Sequence, residues 1–359
     1  MKKIMRIIIT IGLVSFLFIL TGCLQKKIID DVQLVQGVVV DLVNNKIKTT
    51  LVSPVQKKGN KVEVFENIDY TAKMGRARIS LLSEKPFAIG QLRVALLTKK
   101  LAKKDIKILY DPLVRDSSIG HTVYLGLLEG SAKELFSGKY NASSNVAIYI
   151  KRLLEHNMQG GPVPHDNLYR SMYRYYNEGQ DIFTPILKKE KNKIEIKGLA
   201  LFKKEKYAGE LNAKEMYIFK GLFEKHRLSS NQYKAGGMYV FVNNIRSTPS
   251  YHIDMKNKKP SFHIQVKIDT QLQEITKPIN LDKQNNLKKI EKNIQKKLSI
   301  EGGNLIKKLQ HLNVDPLGLG SKLKHKYRTF QLKEWKKIYN EIPIEVEYIV
   351  NISNSGVVE

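Results

Sequence analysis

Cysteine is nearly absent from this chain of 359 residues: Cys23 is the only one, and it follows an uncharged apolar run. One thiol excludes an intrachain disulfide. An exported form of the chain would therefore have to be held together by its hydrophobic core alone. Thiol chemistry of any kind is limited to one position. What Cys23 does is the first question that the sequence raises.

The residues before Cys23 have the layout of an export signal. Lys2, Lys3 and Arg6 place positive charge at the N-terminus, and the run from residue 7 to residue 20 carries no charge. The run is 14 residues long, whereas a spanning helix needs about 20 apolar residues, so a secretory signal is favoured over a membrane anchor.

Lipidation of Cys23 is the prediction that follows. Leu20-Thr21-Gly22-Cys23 matches the bacterial lipobox, in which the cysteine becomes the first residue of the mature protein and carries a diacylglyceryl group. Several buried acyl chains, at roughly 0.8 kcal/mol per methylene, hold a protein stably at a membrane. We expect residues 1–22 to be cleaved and the mature chain to be exported and lipid-anchored.

Acidic residues are scarce, with 34 Asp and Glu against 61 Lys and Arg, for a net charge of +27. Outside a membrane the available polyanions are lipid headgroups and cell-wall polymers, so no nucleic-acid partner is expected. A Lys-rich surface strengthens binding to anionic headgroups by about 1 kcal/mol per well-placed cation. The alternative is a compositional bias toward Lys, Ile and Asn, and the sequence leaves both interpretations open.

Catalytic signatures are missing as well. G-x-S-x-G and H-E-x-x-H do not occur, and the eight histidines are scattered. His252 and His263 could face each other on neighbouring strands, but solvent-side positions explain them better. Ser321-x-x-Lys324 matches a penicillin-binding motif without its companions, and Gly318 and Gly320 are typical of a turn with positive φ rather than a phosphate loop. No enzyme activity, cofactor or metal site is predicted.

The first two thirds of the chain alternate between strand and helix patterns. Asn44-Asn45 predicts a hairpin, and residues 143–158 predict a helix that stops at Gly160-Gly161-Pro162. The Tyr-rich stretch "LYRSMYRYY" predicts a short helix capped by Asp166. Beyond residue 188, two strands joined by a charged turn precede a helix that begins at Asn212.

The last third predicts an antiparallel sheet with a long amphipathic helix. Apolar residues alternate with polar ones in two stretches, residues 262–268 and 344–352, and helical spacing occurs between them. The fold class is thus α+β, with several mixed sheets and helices packed on them. We expect three units after the signal: an α/β domain of residues 23–187, a small domain of residues 188–232 with a hairpin and a helix, and an α+β domain of residues 233–359.

The order of several weak motifs resembles the C-subunit lipoproteins of bacterial spore-germination nutrient receptors, the Ger(x)C family. The motifs are "IIDDVQLVQGVVVD" after the lipobox, a long segment ending in Arg115-Asp116, "GLALFKKEKYAGEL", "DPLGLGSKL", and the closing "EWKKIYNEIPIEVEYIVNISNSG". The family commonly has Trp directly after the lipidated cysteine, where this chain has Leu24.

The resemblance implies three mixed α/β domains, no enzymatic activity, and a position on the outer face of the inner spore membrane beside integral-membrane A and B subunits. It makes the chain a non-catalytic receptor subunit needed for nutrient-triggered germination. The alternative is a lipid-anchored protein that binds a solute or a cell-wall polymer for a transporter. That alternative predicts an occupied cleft between two lobes.

Two further positions allow a structural and a functional interpretation. Arg115-Asp116 is interpreted as a local ion pair that braces a turn, with a docking hot spot as the alternative. Trp335, the single tryptophan, is interpreted as a core anchor, with an interface role as the alternative.

Overall fold

The computed structural model describes residues 3–6, 31–55, 62–140, 145–227, 229–257, 259–277, 279 and 284–353. Cys23 and the apolar run before it lie outside these residues. Within them, no helix combines the length and the apolar character that crossing a membrane requires.

An eight-stranded mixed sheet forms the larger half of the molecule. Four parallel strands lie at its centre, and an antiparallel hairpin extends it on each side. Its strands, in spatial order, are β10 (Lys206–Asn212), β9 (Lys193–Lys203), β8 (Phe183–Glu190), β7 (Tyr124–Glu129), β6 (Val94–Thr98), β2 (Gly37–Val43), β3 (Lys46–Pro54) and β4 (Val62–Asp69).

Local chemistry explains the hairpin of β2 and β3. Asn44 and Asn45 join the two strands with φ of 48° and 60°, as a two-residue turn with both central residues at positive φ requires. The hairpin predicted from these asparagines is confirmed. The central strand β6 is buried along its whole length, as expected for a parallel strand covered on both faces.

Helices cover both faces of this sheet and create two hydrophobic clusters. One face packs α1 (Ala72–Ser80), α2 (Lys99–Lys104), α3 (Lys107–Arg115) and α6 (Leu168–Tyr176). The other face packs α4 (Ala132–Phe136), α5 (Val146–Gly160) and α7 (Ala213–Phe223) and continues into the core of the C-terminal half. The helix predicted from Asn212 is confirmed, because the Asn212 side chain and Glu215 form a reciprocal capping box.

A four-stranded sheet forms the C-terminal half, in the order β11 (Ser229–Ala235), β12 (Met238–Lys256), β13 (Lys259–Ile275) and β14 (Ile344–Ser353). The first three strands are antiparallel, whereas β14 pairs with β13 in parallel. This last pairing departs from the predicted antiparallel sheet because a long helical connection separates the two strands, and such a crossover returns the chain in the same direction. The fold class, α+β with mixed sheets, is confirmed.

The connection contains α8 (Gln284–His311), α9 (Leu319–Lys326) and α10 (Leu332–Ile338). Helix α8 lies along the outer edge of β14. Side chains four residues apart on α8, Glu291, Gln295 and Ser299, accept hydrogen bonds of 2.8, 3.3 and 3.0 Å from alternate backbone N–H groups of β14. The helix thereby covers a strand edge that would otherwise be free to pair with another chain.

The eight-stranded sheet continues across the predicted domain border between residues 187 and 188. That border falls inside β8, and the hairpin of β9 and β10 beyond it pairs with β8. A two-stranded parallel sheet, β1 (Gln33–Leu34) with β5 (Phe87–Ala88), completes the N-terminal side. The division into three units remains a prediction.

Candidate functional site: the junction of the two halves

The motif Asp315-x-x-Gly318-x-Gly320 forms a buried cap at the start of α9. The Asp315 side chain is 3% exposed, and its carboxylate accepts hydrogen bonds from the backbone N–H groups of Leu319 and Gly320 at 2.9 and 2.8 Å. It also accepts one from Nε1 of Trp335 at 3.2 Å. One carboxylate therefore satisfies two of the free N–H groups of a helix start and the indole of the single tryptophan.

The two glycines of the motif serve different purposes. Gly318 has φ of 69°, a left-handed conformation that glycine adopts without cost. Gly320 lies inside α9, so the prediction that it too supplies positive φ is wrong. A Cβ at Gly320 would lie 2.5 Å from two atoms of the Trp335 ring. Its small size lets the indole rest on the helix backbone.

The loop of residues 177–182, which leads into β8, docks on this cap; we call the contact the junction. Asp181 and Asp315 exchange hydrogen bonds: Asp181 N–H donates to the Asp315 carbonyl at 2.9 Å, and Asp315 N–H donates to the Asp181 carboxylate at 2.7 Å. The N–H of Ser321 donates to the Gly179 carbonyl at 3.0 Å. The junction joins the eight-stranded sheet to the C-terminal helices through two backbone–backbone hydrogen bonds and one to the Asp181 side chain.

A polar cavity of about 450 Å³ lies beside the junction. Acidic, basic and aromatic side chains line it, among them Asp181, Lys203, Tyr175 and Trp335. Lys203 donates to the Asp181 carboxylate at 3.3 Å. The hydroxyl of Tyr339, which also lines the cavity, is buried and makes no hydrogen bond within the described part of the chain. Such a cavity can hold water or a small polar molecule.

Burial shifts the pKa of the carboxylate at the centre of the junction. Desolvation raises the pKa of Asp315 to about 7, and the N–H groups of Gly320 and Leu319 oppose that increase because they stabilise the ionised form. These donors occupy both oxygens. We therefore interpret Asp315 as a structural acceptor rather than as an acid or a base.

A second buried polar cluster lies where α7 ends. The ammonium of Lys220, which is fully buried, donates to the backbone carbonyls of Met158 and Gly161 at 2.6 and 2.8 Å. Burial lowers its pKa to about 8. Burial also lowers the pKa of the neighbouring His226 to about 4. The cluster ties the end of α5 to α7 and leaves the Lys220 ammonium occupied by carbonyl oxygens.

The predicted ion pair between Arg115 and Asp116 does not form. The Asp116 carboxylate instead pairs with Arg76 of α1 at 3.2 Å and accepts hydrogen bonds from the N–H and hydroxyl of Ser118. Arg115 is exposed at the end of α3, where its positive charge interacts favourably with the negative end of the helix dipole. The turn is braced as expected, but by a partner that is distant in sequence.

The Tyr-rich stretch forms α6, as predicted, but Asn167 rather than Asp166 caps it. Asp166 is buried and pairs with Arg174 of the same helix. One face of α6 is buried, whereas Tyr169, Tyr173 and Tyr176 are about 60% exposed. The short helix predicted for this stretch is therefore half-buried.

The remaining sequence motifs are not brought together as active sites. His252 and His263 are register partners toward the solvent side, as predicted, and the His263 ring contacts Glu347 at 3.1 Å. Lys324 donates to the carbonyls of Arg328 and Phe330 rather than approaching Ser321. Among the described residues, no group of three or more His, Cys, Asp or Glu side chains is placed to hold a metal ion.

Trp335 is confirmed as a core anchor. It is 3% exposed and packs against Phe262 and Tyr339, with ring centroids 5.7 and 5.2 Å apart. Sequence reasoning missed Asp181, the partner of Asp315 across the junction, because no spacing links residues 181 and 315. Cys23, the predicted lipidation site, lies outside the described residues, so its role stays a prediction.

Nearly the whole chain is similar to known spore germination proteins. The profile of the family described as "Spore germination protein N-terminal domain" matches residues 25–189, and that of "Spore germination B3/ GerAC like, C-terminal" matches residues 197–356. The chain is 30% identical to the spore germination protein GerQC of Bacillus cereus over 346 residues, which cover 95% of this chain and 96% of that protein.

A solved structure shares the fold. The crystal structure of the GerBC protein superposes with a TM-score of 0.61 at 19% sequence identity, covering 89% of this chain and 97% of that one. At this identity the likeness supports the architecture only. The sequence matches support membership of the family as well, because they lie between residue 25 and residue 356 and include the junction motif. This chain belongs to the GerAC-like, or Ger(x)C, family of spore germination proteins.

Proposed function

We propose that this protein is the lipid-anchored, non-catalytic C subunit of a nutrient-gated spore germination receptor. The observation that carries the proposal is the match of nearly the whole chain to spore germination proteins, including 30% identity to GerQC over 95% of the chain. A match of this extent includes the elements of both halves. It therefore supports a shared role more strongly than a motif in one segment would.

The tether is the second part of the proposal. The lipobox ending at Cys23 would place acyl chains at the first residue of the mature protein. The chain would then lie on the outer face of the inner spore membrane, beside the integral-membrane A and B subunits. Its basic surface would favour contact with anionic headgroups.

The use of the buried polar groups in the fold supports the non-catalytic part of the proposal. Burial raises the pKa of Asp315 and lowers the pKa values of Lys220 and His226, which are directions that catalysis can use. Each of the three is hydrogen-bonded to backbone or side-chain groups that hold neighbouring elements together. These groups therefore act in the fold, and we propose an assembly role rather than an enzymatic one.

A second candidate function has one observation in its favour. The polar cavity beside the junction carries the hydroxyl of Tyr339, which has no hydrogen-bond partner among the described residues, so a small polar solute could bind between the two halves. In that case the protein would be a lipid-anchored solute-binding protein that serves a transporter. Its contribution would then be to uptake of the solute rather than to germination.

A germination assay on spores that lack this protein distinguishes the two functions. The measurement is release of dipicolinic acid after nutrient addition, with dodecylamine, which triggers germination without a receptor, as the control. The receptor role predicts that the deletion abolishes the nutrient response and leaves the dodecylamine response unchanged. A normal nutrient response, in a strain without a duplicate receptor, would contradict the receptor role and favour solute binding.

A further inference from the structure

Two neighbouring leucines are displayed to solvent at the end of α1. Leu81 and Leu82 are 85% and 66% exposed, which places them among the most exposed large apolar side chains of the described residues. Their backbone is fixed: Leu81 N–H donates to the Arg78 carbonyl at 3.1 Å, and Leu82 N–H donates to the Ile79 carbonyl at 2.9 Å. We call residues 81 and 82 the leucine turn.

The leucine turn belongs to an outward-facing apolar stripe of α1. Met74 lies two helical turns before Leu81, on the same side of the helix, and is 50% exposed. The opposite side of α1 is buried through Gly75 and Ile79. The helix is therefore already packed on the sheet, and the leucine turn is an additional apolar surface that its own fold does not bury.

The strand pairing places the leucine turn at the end of the molecule where the chain enters from Cys23. Strand β1 pairs with β5 in parallel, with Gln33 opposite Phe87 and the Gln33 N–H donating to the Pro86 carbonyl at 2.9 Å. In a parallel pair the segments that precede both strands lie at the same end. The segment before β1 comes from Cys23, and the segment before β5 begins with the leucine turn.

The length of the intervening chain limits the distance between the tether and this end. Cys23 precedes Asp31, where the description of the chain resumes, by eight residues. Eight residues span at most about 29 Å even when fully extended. A bilayer that holds acyl chains on Cys23 therefore lies within this distance of Asp31, two residues before β1.

We propose that the leucine turn inserts into the lipid bilayer to which Cys23 is tethered. The proposal rests on the lipid anchor of the proposed function and adds a second, non-covalent contact that orients the protein on the membrane. Lys73 and Arg78 on the same helix are exposed and suit anionic headgroups. Arg78 also forms an ion pair with Asp69, with 2.5 Å between its Nε and the carboxylate. Glu84, also exposed, follows the turn and would stay at the level of the headgroups.

The single cysteine and the buried tryptophan allow a direct test. The mature chain, residues 23–359, is coupled through Cys23 to a maleimide phospholipid in vesicles that contain anionic lipid, which reproduces the tether at high local concentration. Leu82→Trp then reports insertion through quenching by lipids brominated in their acyl chains. The matched control is Ile300→Trp on α8, which replaces another exposed apolar residue (53%). Trp335, being buried, gives a constant background in both variants.

Insertion predicts that brominated lipids reduce the emission that L82W adds to the wild-type Trp335 signal about twofold, relative to unbrominated vesicles, and leave the added emission of I300W unchanged. No quenching of L82W would overturn the proposal and would make a surface of another receptor subunit the better occupant. Equal quenching of both variants would overturn it as well, because the contact would then be unspecific. Chemical coupling makes the result independent of lipidation in the cell, so failure of the proposed anchor and failure of insertion are distinguished.

Discussion

The Asp315 side chain accepts three hydrogen bonds at the junction. It binds two backbone N–H groups of α9 and the indole of Trp335, and it is almost fully buried. Three donors directed at one carboxylate need an acceptor on each oxygen. A residue of the same shape with only one acceptor oxygen leaves a donor unsatisfied.

Asp315→Asn is therefore expected to destabilise the protein by roughly 2–3 kcal/mol. The NH₂ group of the amide is itself a donor, so at least one N–H group that bonds to the carboxylate would lose its acceptor. The free energy of unfolding in urea measures this effect. Asp254→Asn on the exposed side of β12 is the matched control and stays within about 0.5 kcal/mol of the wild type. Equal stabilities for the two variants would contradict the role assigned to Asp315.

His226 makes stability depend on pH. Its Nδ1 contacts the Glu224 carbonyl at 3.3 Å and its Nε2 contacts the Asn244 amide at 3.2 Å. The ring is neutral when it donates through Nδ1 and accepts at Nε2. Burial lowers the pKa in the folded state to about 4 from the ordinary value of 6.5, and Glu224 opposes this shift. The unfolded chain thus binds the proton more readily, and stability decreases as the pH falls below 6.5.

Between pH 7.5 and pH 5 the wild type is expected to lose about 2 kcal/mol of stability through this residue. His226→Gln removes that part of the pH dependence, whereas the exposed His252→Gln retains it. Urea unfolding at the two pH values measures the difference. If H226Q and the wild type lost equal stability on acidification, His226 would not be the buried neutral group described here.

At the scale of elements, sequence patterns located most strands and helices but not their partners. Period-two alternation identified β13 and β14, and asparagines marked the first hairpin and the start of α7. The parallel pairing of β14 and the contact of Asp116 with Arg76 were not predictable, because both depend on elements far apart in sequence. Local spacing records periodicity and capping, whereas pairing follows from how the core is packed.

Part of the junction can be predicted from the sequence, and the part that depends on tertiary contacts cannot. The motif that begins at Asp315, and the buried Trp335, are visible in the sequence, and the structure brings them together. The sequence predicts a turn at Gly320 because glycine spacing alone does not distinguish a residue with positive φ from one that allows close packing. Its helical position under the indole is a consequence of tertiary contact.

Helix α8 contains a natural matched pair of glycines. A Cβ at Gly302 would lie 2.6 Å from Val346 of β14, whereas a Cβ at Gly303 would meet nothing within 4 Å. Gly302→Ala is expected to destabilise the protein by roughly 1–3 kcal/mol through overpacking. Gly303→Ala is expected to stabilise it by up to about 1 kcal/mol through helix propensity. Thermal or urea unfolding of both variants tests the close approach of α8 to β14. The two substitutions are expected to change the free energy of unfolding in opposite directions. If both increased it, the close approach would be contradicted.

At the scale of the whole molecule, the eight-stranded sheet and the junction unite segments that the sequence separates. Strands β9 and β10 lie beyond the predicted border at residue 187 and extend the sheet that begins with β2. One hydrophobic cluster runs from that sheet into the C-terminal half. The two halves therefore stabilise each other through shared core and paired backbone.

Cutting the chain at the predicted border should accordingly disrupt folding. A fragment of residues 23–187 ends inside β8 and lacks the hairpin that covers its edge, so we expect it to aggregate and to unfold without a cooperative transition. A fragment of residues 23–227, which keeps β9, β10 and α7, should be more soluble. Circular dichroism and size-exclusion chromatography compare them. Cooperative unfolding of the shorter fragment would show that residues 23–187 fold independently.

If the chain acts in germination as a lipid-tethered receptor subunit, the response of spores to nutrients depends on Cys23. Spores carrying Cys23→Ala, with the protein present at the wild-type level, are compared with wild-type spores for release of dipicolinic acid. The C23A spores are expected to lose most of the response to nutrients and to respond normally to dodecylamine. A nutrient response of wild-type rate from these spores would contradict the role as a lipid-tethered receptor subunit.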